Sequence, residues 1–157
     1  MQAPRIRTRR AYAGTSLAGA IVLAAVSCFG CAGKPEPRQK IARALQEMSG
    51  EVPQQVPDPQ RQQRLQDAIT GLDGDLGSFE SALEGMRSEL RAVNARPDAT
   101  RAEIERVLDD FDAKRKTIRE RVLQHHFAMI AATTDDEWHQ LSHYERDALS
   151  AASLRQP

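Results

Sequence analysis

Aromatic side chains are scarce: four Phe, two Tyr and one Trp make up 4% of the 157 residues. So few large rings cannot fill a deep globular core, which favours an elongated helical body. No stretch of β-branched or aromatic residues alternates with period two, so no strand is expected. No apolar run reaches the roughly 18 residues that a membrane-spanning helix needs. The longest, residues 17–26 (LAGAIVLAAV), stops well short of that. Charge of one sign is missing too, since 22 Lys and Arg balance 22 Asp and Glu. That balance excludes a strongly basic nucleic-acid binder. The only cysteines, Cys28 and Cys31, form a lone C-x-x-C with no second pair and no His after Cys31. Redox, paired-cysteine metal and haem-attachment readings all lose their context. No Gly-x-Ser-x-Gly turn and no glycine-rich loop after a strand is present, so neither an enzyme site nor a cofactor is expected.

What is present is concentrated first at the N-terminus. Arg5, Arg7, Arg9 and Arg10 precede the apolar run, with no acid among them. A basic segment, a short apolar run and small residues make the three parts of a secretory signal. Ala25-Val26-Ser27-Cys28 resembles a lipobox, the cleavage signal of bacterial lipoproteins, with Ala where Leu is commoner. The resemblance implies that residues 1–27 are removed and that Cys28 is fatty-acylated as the new N-terminus. Cys31, preceded by Gly30, is the rival lipidation site, and a cleaved soluble or an uncleaved signal is the plainer alternative. Arg9-Arg10 also resembles a twin-arginine export signal. One acyl chain holds a protein only marginally at a membrane, whereas the three chains of a bacterial lipoprotein anchor hold it firmly. Removal of residues 1–27 leaves 18 basic and 22 acidic groups, a formal charge of −4.

The remainder reads as helix. Segments 32–40 and 50–63, dense in Pro and Gln, read as linkers. Between them Ile41, Leu45, Met48 and Val52 recur at helical spacing and predict a short helix over about 38–49. Leu65, Ile69, Leu72, Leu76, Phe79, Leu83, Met86, Leu90 and Val93 then follow strict 4,3 spacing, an apolar seam sustained for four heptads. Gly71, Gly74, Gly77 and Gly85 lie off that seam and predict a soft stretch near 71–77. Pro97 ends the helix. Thr100-Arg-Ala-Glu103 is a capping box opening a second long helix. Its seam is Ile104, Leu108, Phe111, Arg115, Ile118, Val122, His125 and Met129. A connection this short makes the two long helices antiparallel neighbours. Thr134-Asp-Asp-Glu137 is a second capping box. It opens a last helix bearing Trp138, Leu141, Glu145, Ala148, Leu149 and Ala152 on one face, with Trp138 as its anchor. The expected architecture is all-α: an elongated antiparallel helical hairpin with short flanking helices. The expected division is 1–27 signal peptide, 28–61 anchor, linker and short helix, and 62–153 hairpin plus last helix.

The two T-x-x-E boxes lie 34 residues apart, and Trp138 follows the second. Residues 96–149 thereby resemble the Spy/CpxP group of small periplasmic helical proteins, marked by repeated L-T-x-x-Q at helix starts. Ala99 and Thr133 stand at the Leu position, and Glu103 and Glu137 at the Gln position. The group includes an ATP-independent chaperone, envelope-stress regulators and metal-resistance proteins, so the resemblance implies a periplasmic chaperone or a stress- or metal-responsive role.

Among chemistry-bearing residues, His139 and His143 stand four apart and are the candidate metal pair. The H-E-x-x-H pattern is absent, and helical geometry turns both away from the Trp138/Leu141/Leu149 face. The expectation is therefore no metal site. His125 and His126 fall on the apolar side of their helix and are expected at a packed edge, with a ring nitrogen bonded to a carbonyl. Asp109, Asp110 and Asp112, followed by Lys114, Arg115, Lys116, Arg119 and Arg121, read as a solvated face; the functional alternative is a patch for anionic headgroups or an acidic partner. Arg115 interrupts the second seam. The apolar stripes exceed what two helices can hide from each other, which predicts a homodimer or an envelope protein partner. Binding without catalysis, in a periplasmic protein held to the membrane by its lipid, is the expected function.

Overall fold

The computed structural model describes residues 36–153. Four helices account for nearly all of them: α1 (Pro37–Gln55), α2 (Pro59–Asn94), α3 (Arg101–Ala132) and α4 (Asp135–Ser153). Among the described residues there is no strand, and no helix is long and apolar enough to cross a membrane. The all-α expectation holds, and α2 and α3 form the long antiparallel hairpin.

Proline placement explains why helix covers 37–40 of the first expected linker and most of the second, 50–63. Pro37 and Pro59 open α1 and α2, where the missing N–H would have no intrahelical partner anyway. Pro53 sits inside α1 and removes the bond that the Ser49 carbonyl would accept. That carbonyl accepts instead from the Gln66 side-chain amide at 2.8 Å, and Ser49 Oγ donates back to Gln66 Oε1 at 2.5 Å. The segment 50–63 is therefore the end of α1, a three-residue turn and the start of α2. In that turn Val56 is fully buried, and Asp58 caps α2 by accepting from the N–H groups of Gln60 and Arg61.

The chain runs up, down, up, down. α2 and α3 pack along the greatest length, α1 lies chiefly on α4 and less on α2, and α3 touches α4 only lightly. α1 contributes Ile41, Ala44, Leu45, Met48 and Val52 to one core, joined by Leu65, Ala68, Ile69, Leu72 and Leu76 of α2. Met129 and Ala132 of α3 and Leu141, Ala148 and Ala151 of α4 complete it. Much of the apolar excess of the hairpin is thus covered from within the chain, by α1 and α4. Beyond the point where Arg38 meets Glu80, the hairpin continues as two helices alone. There the seam thins: Leu83 is buried, but Met86, Leu90 and Val93 are only half-buried. Phe79, expected in the core, is half-buried too and tilts against Phe111 at 6.3 Å.

The glycine-rich stretch 71–77 is tied on both sides rather than left loose. Asp73 pairs with Arg38 of α1 at 2.8 Å, and the Arg38 guanidinium also donates to the Asp73 carbonyl. Asp75, buried in the packed interior, pairs with Arg121 at 2.8 Å and with His125 at 3.1 Å, both from α3. The His125 ring occupies the place where a side chain at Gly71 would be, since a Cβ there would stand 2.2 Å from Cε1. Glycine is needed at this position for close approach of the ring.

Candidate protein-binding face on α3 and α4

Both capping boxes form. Glu103 accepts from the Thr100 N–H, and the Glu103 N–H donates to Thr100 Oγ1. Thr134 and Glu137 make the same exchange at the start of α4. Each glutamate also meets an arginine: Arg96 for Glu103, and Arg61 for Glu137 at 2.5 Å. The Arg96 guanidinium and the Thr100 donors hold the Glu103 carboxyl down at about 2. The Arg61 guanidinium, helped by the Thr134 N–H, holds Glu137 below the usual carboxylate range. Arg61 also reaches the Ala132 carbonyl. The first turn of α2 thereby clamps the corner between α3 and α4.

Above that corner α4 leans toward α1. Its buried face centres on Leu141, Glu145, Ala148 and Ala151. Trp138, Leu149 and Ala152, expected on the docking face, are half-buried on the side toward α3. The α3–α4 seam is left as a cleft of about 650 Å³. Its floor includes Leu76, Phe79, Val122 and Leu149, and Arg115, Lys116 and Arg119 stand at its edge. Arg115 pairs with Asp112 at 3.0 Å, on the exposed side of the helix.

His126 bridges the seam. Its Nδ1 lies 2.9 and 3.0 Å from the two oxygens of buried Glu145. A carboxylate only accepts, so Nδ1 carries the proton. The same ring meets Trp138 edge-on at 5.8 Å and Phe127 at 5.3 Å. His125 and His126 do sit at packed edges, but their partners are the carboxylates of Asp75 and Glu145, not carbonyls. No sequence pattern pairs a histidine of α3 with an acid 50 or 19 residues away, so only the packing could reveal these contacts.

Next to this ring α3 presents Leu123, Phe127 and Ile130 to solvent, 45%, 63% and 38% exposed. Their 4,3 spacing aligns them on one side of the helix, opposite the Ile118/Met129 side buried in the bundle. Sequence reasoning missed this second stripe because it assigned α3 a single seam. The signal was three large apolar residues in heptad register with one another and out of register with that seam.

The other sequence candidates fall elsewhere. Cys28 and Cys31 lie outside the described residues. His139 and His143 are both exposed on α4, with the His143 ring against Tyr144. Among the described residues no group of three or more His, Cys, Asp or Glu could hold a metal ion.

No family model, curated protein or solved structure matches this chain. The functional reading therefore rests on the geometry and on the N-terminal motif.

Proposed function

We propose that the protein is a non-enzymatic component of a bacterial cell envelope, tethered by lipid at Cys28, that acts by binding a helical protein partner. The observation that carries the binding part is the Leu123–Phe127–Ile130 stripe on the solvent side of α3. A contiguous apolar patch rimmed by polar residues marks an interaction site more often than a bare surface, and heptad spacing suits another helix. The tether supports the same reading. Eight residues lie between Cys28 and Pro37, a span of at most ~30 Å when extended. An anchor at Cys28 would thus keep the bundle close beside the bilayer, mature part periplasmic. Two experiments test the proposal. Cys28→Ala should abolish lipid labelling and leave the protein as an unprocessed precursor or in soluble form; normal labelling would move the site to Cys31, and an unlabelled wild type would remove the anchor. A photoreactive phenylalanine analogue at Phe127 should cross-link to protein in the envelope, while the same analogue at exposed Gln46 should not. Absence of any product at Phe127 would remove the binding face.

The open α3–α4 cleft favours a second reading, a Spy/CpxP-like periplasmic chaperone. An apolar floor with a cationic edge suits transient apolar segments of a client. Suppression of client aggregation, lost on Val122→Asp, separates this reading from the first. A metal-responsive role would need His139 and His143; zinc affinity unchanged in the double Ala variant would dismiss it.

A further inference from the structure

We infer that the outer face of α3 is covered by α3 of a second copy of this chain, with the two helices antiparallel about a two-fold axis near Phe127. This rests on the protein-binding reading of that face and names its occupant. A two-fold interface uses the same patch on both subunits, so the patch must complement itself. The α3 stripe does. An axis passing between His126 and Phe127 sets Leu123 opposite Ile130 of the partner subunit and brings the two Phe127 rings together at the centre. The flanks agree in charge. Exposed Lys116 and Arg119, with Glu120 beside them, give one end of the stripe a net positive charge, and exposed Asp135 and Asp136 lie just past the other. Antiparallel pairing lays the basic end of each copy over the acidic end of the other. Parallel pairing would set like charges together, which disfavours that register. Ala131, exposed beside the stripe, offers no bulk to hold the backbones apart. The chain itself has no spare helix among the described residues to cover this side, because α4 is committed to α1 and α1 to α4 and α2. Three apolar side chains per copy with a polar rim fall below the size of stable interfaces, so association should be weak and reversible.

The test uses the full chain, carrying two different tags in one bacterial strain, with the photoreactive analogue at Phe127. The expected product has twice the chain mass and carries both tags. Leu123→Glu should reduce its yield at least tenfold, and so should Lys116→Glu with Arg119→Glu. Adding Asp135→Lys and Asp136→Lys to the latter pair should restore it, because the charges are then exchanged end for end. Circular dichroism of each purified variant confirms that the helices persist. A product of a different mass, lacking the second tag, would overturn the dimer and leave the binding reading standing. No product of any mass would overturn both. A two-tag product insensitive to Leu123→Glu, or not restored by the charge exchange, would overturn the antiparallel arrangement.

Discussion

Gly71 and Gly74 lie one turn apart on α2, yet the same substitution should move stability in opposite directions. At Gly74 an added Cβ meets nothing within 4 Å. Gly74→Ala therefore gains only the helix-propensity difference, about 0.5–1 kcal/mol. At Gly71 the new Cβ would stand 2.2, 2.6 and 2.7 Å from three atoms of the His125 ring. Ordinary contact requires about 3.5 Å, so the ring must retreat by more than an ångström. It then leaves its 3.1 Å contact with Asp75, and Arg121 alone faces that buried carboxylate. Overpacking of this kind costs about 1–3 kcal/mol. After the propensity gain, Gly71→Ala should be destabilised by about 2 kcal/mol. The two alanine variants should then differ in melting temperature by roughly 10 °C for a domain of this size. Urea and thermal melts followed by circular dichroism measure both. The double variant Gly71→Ala with His125→Ala should recover at least about 1 kcal/mol over the sum of the singles, because the ring that blocks the Cβ is gone. A Gly71→Ala protein that melts at or above wild type would show that His125 does not rest on the α2 backbone, and the account of the 71–77 stretch would fail with it.

Two further outcomes follow from burial and from charge. Leu72 is fully buried, so Leu72→Ala should cost about 3–4 kcal/mol in urea melts, whereas half-buried Phe79→Ala should cost only about 1–2 kcal/mol; equal losses would place Phe79 in the core after all. Because the folded state holds the Glu103 carboxyl at about 2 against an ordinary 4.5, its contribution is complete above pH 4.5 and is lost as the pH falls toward 2. Glu137, lowered by Arg61, acts in the same direction. The deficits in melting temperature of Glu103→Gln and Glu137→Gln should accordingly be largest above pH 5 and shrink on acidification. A deficit that grows toward pH 2 would contradict the pairing.

Much of the local structure is legible in the order of residues. The four-heptad seam of α2, the stop at Pro97 and the two T-x-x-E boxes depend on contacts within four residues of one another. Helical periodicity and capping chemistry are enough to read them. Helical periodicity and the absence of strand patterns likewise needed no coordinates to set the fold class. Long-range contacts decided the rest. Pro53 reads as a helix breaker until Gln66, on another helix, takes up the Ser49 carbonyl that it orphans. Gly71 reads as a weak point until His125 fills the space beside it. Asp75 and Glu145 show no partner in the sequence until α3 supplies Arg121, His125 and His126. Whether α4 would face α3 or α1 was not written in its own stripe, because Trp138 and Leu149 flank one side of that stripe and Ala151 the other. Small residues on both α1 and α4 let those two helices close on each other, and α3 was left with an open cleft and a second apolar stripe. A stripe of three residues becomes a candidate binding face only once the neighbours that might have covered it are seen to be engaged elsewhere. Periodicity states which residues share a side of a helix, and packing alone states what lies against that side.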